Sequence, residues 1–314
     1  MAGPAPCQPD AVGDRPSGAS AGGVGHVRAR DLRTRAFPGP ESPECADLAE
    51  RNAVTELLTE RSARIVAARK LTRRAGRDAA GLFLAEGRQA VVEALADPGS
   101  VREVFATEAA LDAHRDLLGS TAVPVRPVTD RAAAGLSETV TPQGLVAVCA
   151  LRDVPGGDVL AAPPRLAVAL AELADPGNAG TVLRTADACG AGAVVFGAGS
   201  ADPYGGKAVR SSAGSLFHVD VVRGAPLEEF LPAWQRAGGT VLAADGGGEA
   251  RLDELGGQLA GPVLWLFGNE ARGVPAGLAA LADARVRIPM RGRAESLNLA
   301  AAAAICLYAT QLAQ

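Results

Sequence analysis

The sequence predicts an α/β protein: a parallel sheet with helices on both faces, preceded by a smaller α/β domain. Three observations predict it. Six short apolar runs between residues 166 and 290 alternate with stretches of helical character, the pattern of strands buried on both faces. A second, shorter alternation of strands and helices fills residues 81–150. Between the two lies a stretch holding Pro155, Gly156, Gly157, Pro163 and Pro164, which breaks helix and strand alike.

The 314 residues suffice for two modest domains. The chain is 48% hydrophobic but only 4% aromatic, so its core must be built from Ala, Val and Leu. Residues 1–55 are rich in Pro, Gly, Ala and Ser without a sustained period, and are expected to be a disordered extension with a short helix near 45–53. From 56 to 77 the pattern turns helical and basic: Arg61, Arg64, Arg69, Lys70, Arg73, Arg74 and Arg77 follow with no acid among them. Strands are expected at 81–86, 101–106, 123–128 and 145–150, with helices at 89–96 and 108–118. The first domain thus covers 56–150, the linker 151–164 and the second domain 165–314. Its strands are expected at 166–173, 193–197, 217–222, 240–244, 263–267 and 285–290, and its last helix at 297–313.

Composition also excludes. A formal net charge of −4 argues against a uniformly basic surface and leaves room for a local basic patch. The five cysteines show no CxxC spacing, which suits free thiols in a reducing compartment. The three histidines form no metal-ligand pattern with Cys, Asp or Glu, so no metal is expected. No apolar run is long enough to cross a bilayer, and no basic segment followed by an apolar one marks a secretory signal, so a cytoplasmic protein without a membrane partner is expected. Gly190-Ala191-Gly192 precedes a strand instead of following one and so misses the dinucleotide fingerprint. Gly205-Gly206-Lys207-Ala208 resembles the end of a phosphate loop, but Ala201 stands where its first glycine belongs and Ala208 replaces the required hydroxyl. Lys207 and Arg210 remain candidates for phosphate contacts.

Ligands of open parallel sheets gather at the carboxyl ends of strands. Three polar clusters fall there. The first is Asp175-Pro176-Gly177-Asn178-Ala179-Gly180 with Arg184 beyond it, the second Phe267-Gly268-Asn269-Glu270, and the third Ile288-Pro289-Met290 with Glu295-Ser296-Leu297-Asn298. Each fits an ordinary turn or helix cap as well. Arg184 is less ordinary, being a lone arginine in a small, apolar helical run, where it pairs with an acid or reaches into a cleft for an anion.

Taken together, the three clusters resemble the SpoU/TrmH family of RNA 2'-O-ribose methyltransferases, within the SPOUT superfamily. The family's first motif is matched by Asn178, Gly180 and Arg184 with Thr185-Ala186. Its second is matched by Leu266-Phe267-Gly268-Asn269-Glu270 with Gly273, and its third by Ile288-Pro289-Met290 and Ser296-Leu297-Asn298. Residues 62–150 are similar to the family's L30e-like substrate-binding domain, through Phe83-Leu84-Ala85-Glu86-Gly87. Residues 1–55 carry no resemblance.

The resemblance implies a C-terminal trefoil knot and S-adenosylmethionine as cofactor, with Ala244, Gly268, Ile288 and Leu297 lining its pocket. It implies Arg184, Asn178, Glu270, Ser296 and Asn298 as the catalytic set, a homodimer, and an RNA partner, most readily 23S-type rRNA, with no DNA. In the family the arginine matching Arg184 sits at the catalytic centre, sometimes as base. A guanidinium is essentially always protonated, so a phosphate-binding and charge-stabilising role is the better expectation here. Beside such a domain, the basic run 61–77 becomes a candidate RNA contact together with Lys207 and Arg210. A tRNA ribose methyltransferase and a non-catalytic RNA-binding or ribosome-assembly factor on the same fold are the alternatives.

Overall fold

The computed structural model describes residues 56–314, which belong to one compact unit. The expected extension over 1–55, with its short helix, lies outside the described residues. Two sheets organise the rest. The first contains β1 (Leu82–Glu86), β2 (Val101–Ala106), β3 (Val125–Pro127) and β4 (Leu145–Ala150) in the order β1-β4-β2-β3. Strand β4 runs antiparallel to both its neighbours, and β3 is parallel to β2.

The second sheet contains β5 (Leu166–Leu170), β6 (Ala193–Gly197), β7 (Asp220–Ala225), β8 (Thr240–Ala244), β9 (Ala250–Arg251), β10 (Val263–Phe267) and β11 (Ala284–Arg287). Its order is β7-β6-β5-β10-β8-β11-β9, and every pairing is parallel. Every residue of β5, β6 and β10 is buried, as expected of strands covered on both faces. Side chains alternate along β10. Val263, Trp265 and Phe267 enter one core, while Leu264 and Leu266 enter the other. Trp265 donates its indole N–H to Thr310 Oγ1 (2.8 Å), fixing the helix Leu299–Ala313 against β10. Trp234, from the helix Leu227–Arg236, fills the opposite core and is fully buried.

Several expectations need correction. The basic segment is not one helix but Ala63–Arg69, a 3-10 turn Lys70–Thr72 and Arg74–Ala80, which ends at Gly81 with φ 65°. The expected 108–118 helix breaks at His114 into Glu108–Ala113 and Arg115–Gly119. Residues 151–164 do not hang free between domains. They hold the helix Gly156–Ala161, whose Val159 is buried in the second core, and Val154 donates its N–H to Val221 of β7. Phe217 lies in a 3-10 turn ahead of β7, and β11 stops at Arg287, short of Pro289, which has no amide to donate. The edge strand β9 was not expected, being only two residues long.

The two sheets are joined by a dense seam. Phe83 of β1 packs on Tyr204 (centroids 4.8 Å apart) and Phe217 (6.0 Å). Arg77 points inward: its Nε and Nη2 donate to Asp202 (3.0 and 2.6 Å) and its Nη1 to the carbonyls of Leu71 and Thr72. Arg210 donates to Glu86 (2.8 Å), whose carboxylate also accepts from Ser137 and Thr139. His218 sits between Asp187 (2.8 Å) and Glu93 (3.1 Å), one carboxylate from each side of the seam. Burial opposes charge on the His218 ring, but the two carboxylates outweigh it and raise its pKa.

Arg77 and Arg210, expected at an RNA surface, are therefore committed to holding the seam. The pair Arg77–Asp202 is nearly sealed from water, with side-chain exposures of 5% and 8%. Arg77→Ala is expected to lower unfolding stability by about 3 kcal/mol, because it strips both donors from Asp202 Oδ2 in the interior and leaves the carboxylate only the Tyr204 amide and a long contact with Arg223 (3.7 Å) at Oδ1. Urea unfolding of the variant checks this; a change below about 1 kcal/mol contradicts it.

Candidate active site

The strand order sets the place of the site. The chain runs from β5 outward through β6 and β7, then returns to β8 on the other side, and β10 fills the gap between β5 and β8. Connections after β5 and β10 leave in opposite directions, which opens a crevice at their carboxyl ends.

From β5 the chain enters the helix Pro176–Ala188. Asp175 caps it by accepting the Gly177 N–H (2.9 Å), and Pro176 takes a first-turn position where no amide is needed. The helix therefore starts five residues earlier than its apolar stretch alone suggests, and Asn178 lies in its first turn. Gly180 lets it touch the helix Gly206–Ser212 backbone to backbone: a Cβ there would lie 2.2 Å from the Ala208 carbonyl oxygen.

From β10 the chain enters a tight turn in which Asn269 and Gly273 exchange both backbone hydrogen bonds (2.9 and 2.8 Å). A Cβ on Gly268 would meet the Gly273 carbonyl group at 2.1 Å, so only glycine lets the turn close over the strand end. Glu270 then reaches back across the crevice. Its Oε2 accepts the Ala174 N–H (3.0 Å), and its Oε1 accepts the Asp175 N–H (3.0 Å) and Asn178 Nδ2 (2.9 Å). Burial disfavours the charge on Glu270, but Asn178 and the two amides outweigh it and hold the carboxyl below its ordinary value of 4.5.

The third cluster joins the same network. Asn298 caps the helix Leu299–Ala313 by accepting from Ala300 N (2.9 Å) and Ala301 N (3.3 Å), and its Nδ2 donates to Asn178 Oδ1 (3.2 Å). Glu270, Asn178 and Asn298 thus form one hydrogen-bonded chain linking three polar clusters that are about ninety residues or more apart pairwise, except for the last two.

A cavity of about 420 Å3 opens beside this network. Ala244, Gly268, Ile288 and Leu297 all line it, as do Glu270 and Ser296. Its walls are mostly apolar side chains and backbone of the 268–273 turn, the composition of a small-molecule site. Glu295 of the third cluster lines it too, as do Asp245 and Arg272, which were not singled out from sequence. Asp245 directly follows β8, so the strand-end rule alone would have found it. Arg184 is exposed on the helix that carries Asn178, about 9 Å further along its axis at 1.5 Å per residue. Among the described residues its guanidinium has no ion-pair partner. It does not touch the network directly.

The expected basic surface is only partly present. Arg61, Arg64, Arg69, Lys70, Arg73 and Arg74 are exposed, whereas Arg77 is buried. Arg64 pairs with Glu103 (3.2 Å) and Arg74 weakly with Asp78 (3.6 Å). Lys207 is exposed but bonded to Asp175 (2.5 Å), whose carboxyl that contact and the Gly177 amide hold below its usual range. The Cys149 and Cys306 thiols are buried and pushed up to about 12, so neither is a nucleophile at neutral pH. Among the described residues, no helix is long and apolar enough to cross a membrane.

Residues 165–308 match the model of the SpoU rRNA methylase family, and residues 62–147 that of the MRM3-like substrate binding domain. The 23S rRNA (guanosine(2553)-2'-O)-methyltransferase RlmP of Bacillus subtilis is 35% identical over 240 residues, covering 76% of this chain and 92% of that protein. The chain belongs to the SpoU rRNA methylase family. Among solved structures, the AdoMet-bound rRNA methyltransferase from Sinorhizobium meliloti superimposes with a TM-score of 0.69 at 32% identity, covering 82% of this chain and 97% of that one. The SpoU methyltransferase AviRb from Streptomyces viridochromogenes, in complex with AdoMet, gives 0.71 at 30% identity, covering 80% and 98%.

Because the folded pKa of Glu270 is depressed, its stabilising contribution is present above the ordinary carboxylate range and is lost as pH falls through the folded value. Glu270→Gln removes an acceptor that serves three donors and turns an NH2 group toward them. The variant is expected to be less stable than wild type at pH 7, and the gap is expected to close as pH falls below 4.5. Thermal unfolding at pH 7 and at pH 4 checks this; a gap independent of pH contradicts it.

Proposed function

We propose that this chain transfers a methyl group from S-adenosylmethionine to a ribose 2'-hydroxyl of structured RNA, with 23S-type rRNA as substrate. One observation carries the reading: the Glu270–Asn178–Asn298 network borders the Gly268 cavity, and Arg184, without an ion-pair partner among the described residues, stands on the same helix as Asn178. Bound in that cavity, S-adenosylmethionine supplies a methyl already activated by its sulfonium. The apolar walls from Ile288 and Leu297, and the close backbone approach at Gly268, suit an adenosine group.

The residues then divide the work. Glu270 is a positioning residue: its lone pairs are occupied by three donors and its pKa is depressed, so it makes a poor general base. Asn178 and Asn298 hold the first turn of one helix against the cap of another. Ser296 lines the cavity, free to meet the ribose. Arg184, a permanent cation, binds a phosphate beside the target ribose and stabilises the negative charge that grows on the 2'-oxygen as its proton leaves. With S-adenosylmethionine bound, that oxygen would gain a bond to the methyl carbon as the bond from this carbon to sulfur breaks, and its proton would pass to solvent water, since neither Glu270 nor Arg184 is suited to take it.

The remaining parts of the proposal have separate supports. The first sheet, with residues 56–150, is an L30e-like domain that binds the RNA, 151–164 joins it to the catalytic part, and 165–314 holds the chemistry. The exposed face of Arg61, Arg64, Arg69, Lys70, Arg73 and Arg74, with Lys207, is the backbone contact. The C-terminal segment forms a trefoil knot. The support is topological: after β11 the chain passes from beyond β8 to the helix Leu299–Ala313, which packs on β10 and β5, so 288–298 must cross the carboxyl ends of the strands between. The same helix exposes Ile305, Tyr308 and Leu312 (41, 56 and 71%) on one face, which favours a homodimer through this domain. A ribosomal substrate goes with a cytoplasmic site of action.

Incubation with methyl-labelled S-adenosylmethionine and total RNA, followed by mapping of 2'-O-methyl positions, tests the function; transfer to no RNA sinks it. Arg184→Ala is expected to lose transfer by about a hundredfold or more while still binding RNA. Equal loss of binding and transfer would instead make Arg184 an affinity contact only.

A further inference from the structure

Arg272 lines the cavity but has no part in the mechanism above. It sits in the 269–273 turn that Asn269 and Gly273 close, and its side chain is 71% exposed. Its one side-chain partner among the described residues is Glu172, whose Oε2 accepts from Nη2 at 2.7 Å. Glu172 follows β5 by two residues and has φ 53°, one of only two non-glycine residues with positive φ among those described. An L-residue adopts that conformation at a cost, and such residues collect at functional sites. The Glu172 carbonyl is held by Asn269 Nδ2 (2.9 Å), next to where Glu270 holds Ala174 and Asp175. The rim formed by 172–175 and 269–272 is thus stapled along its length, and the exposed end of the row is an arginine.

We propose that Arg272 binds a backbone phosphate of the RNA at the target nucleotide, and that Glu172 holds the guanidinium in readiness until that phosphate displaces it. An exposed ion pair is worth little in water, so exchanging the carboxylate for a phosphate is nearly neutral for the protein. A phosphate offers the guanidinium the same forked acceptor geometry with an oxygen-rich anion fixed in a polyanionic strand. A ribose within a strand has a phosphate on each side, and Arg184 supplies a ligand for only one. The cofactor's carboxylate is the other available anion. The largely solvent-exposed Arg272 at the mouth suits the RNA better than a group enclosed in the cavity. Glu172 also discriminates, because an RNA that presents no phosphate at this point leaves the guanidinium on its carboxylate and gains no contact from it.

This inference rests on the proposed function, and RNA binding measured apart from transfer separates the two. The probe is the RNA in which wild-type methylation maps. Arg272→Ala is expected to weaken its binding about tenfold and to flatten the slope of log affinity against log salt by about 0.7–0.9, the value of one phosphate contact. S-adenosylmethionine affinity, read by calorimetry, is expected to stay within about twofold, and Arg272→Lys to fall between. Glu172→Gln is expected to tighten RNA binding about threefold, an effect that disappears in the double variant with Arg272→Ala. An unchanged salt slope in both Arg272 variants overturns the proposal, as does a loss of cofactor affinity with RNA binding intact, which would assign Arg272 to the cofactor carboxylate. Wild-type protein that binds the RNA with the Arg272 salt effect but transfers no methyl would sink the methyltransferase reading and leave this contact standing.

Discussion

The Glu270 carboxylate accepts three hydrogen bonds from the opposite side of the crevice, two from backbone amides and one from Asn178. The rest of the site depends on it. A parallel sheet leaves the ends of β5 and β10 side by side, but nothing in the sheet itself fixes the loops beyond them. Glu270 does so by joining the loop after one strand to the first turn of the helix after the other. Asn178 passes that constraint to Asn298, which starts the last helix. Three loops that would otherwise move separately become one rim. Several hydrogen bonds to an ionised group are among the stronger ways to hold a partly exposed loop.

The seam has an analogous logic on a larger scale. The first sheet alone would leave Phe83 uncovered, and the second would leave Tyr204 and Phe217 uncovered. Their contact is flanked by Arg77–Asp202, Arg210–Glu86 and the ladder from Arg223 to Asp78 and Asp153. Apolar contact supplies most of the attraction, while buried and half-buried pairs fix the register, since a misdocked pair leaves charges unmatched. The helix Pro176–Ala188 contributes to both regions: Asn178 reaches the rim from its first turn and Asp187 reaches His218 from its last. The first sheet is therefore mechanically connected to the helix that carries Arg184.

Much of this was legible in the sequence, for reasons that differ by residue. The strands of the second sheet stood out because β5, β6 and β10 are continuous apolar runs with no competing period. Asn178, Glu270 and Asn298 were legible because three polar clusters follow strands of one sheet and together resemble the motifs of one family, although each alone fits a turn or a helix cap. Other features depended on contacts that no local pattern encodes. Arg77 belongs to an unbroken basic run, and only its place on the short helix Arg74–Ala80 turns it inward to Asp202. Arg210 looked like a surface cation because Glu86, its partner, lies 124 positions away. Glu172 and Arg272 are ordinary charged residues in sequence, and their significance comes from a positive φ and a turn that must be seen. The helix in 151–164 was hidden by flanking prolines and glycines, which are helix breakers within an element but acceptable at its ends.

The two tryptophans have a spectroscopic consequence. Trp234 and Trp265 are the only ones in the chain, both are fully buried, and they lie in the two opposite cores of the second sheet. Intrinsic indole emission is therefore silent about the first sheet and about residues 1–55, and samples both layers of the methylase half at once. Trp265 differs from Trp234 in having its N–H bonded to Thr310, whereas the Trp234 N–H has no partner among the described residues. The two indoles thus sit in different polarities, and removing either one yields a chain whose remaining fluorophore watches a single layer. Loosening of the last helix would be seen by Trp265 alone, and melting of the opposite helical layer by Trp234 alone.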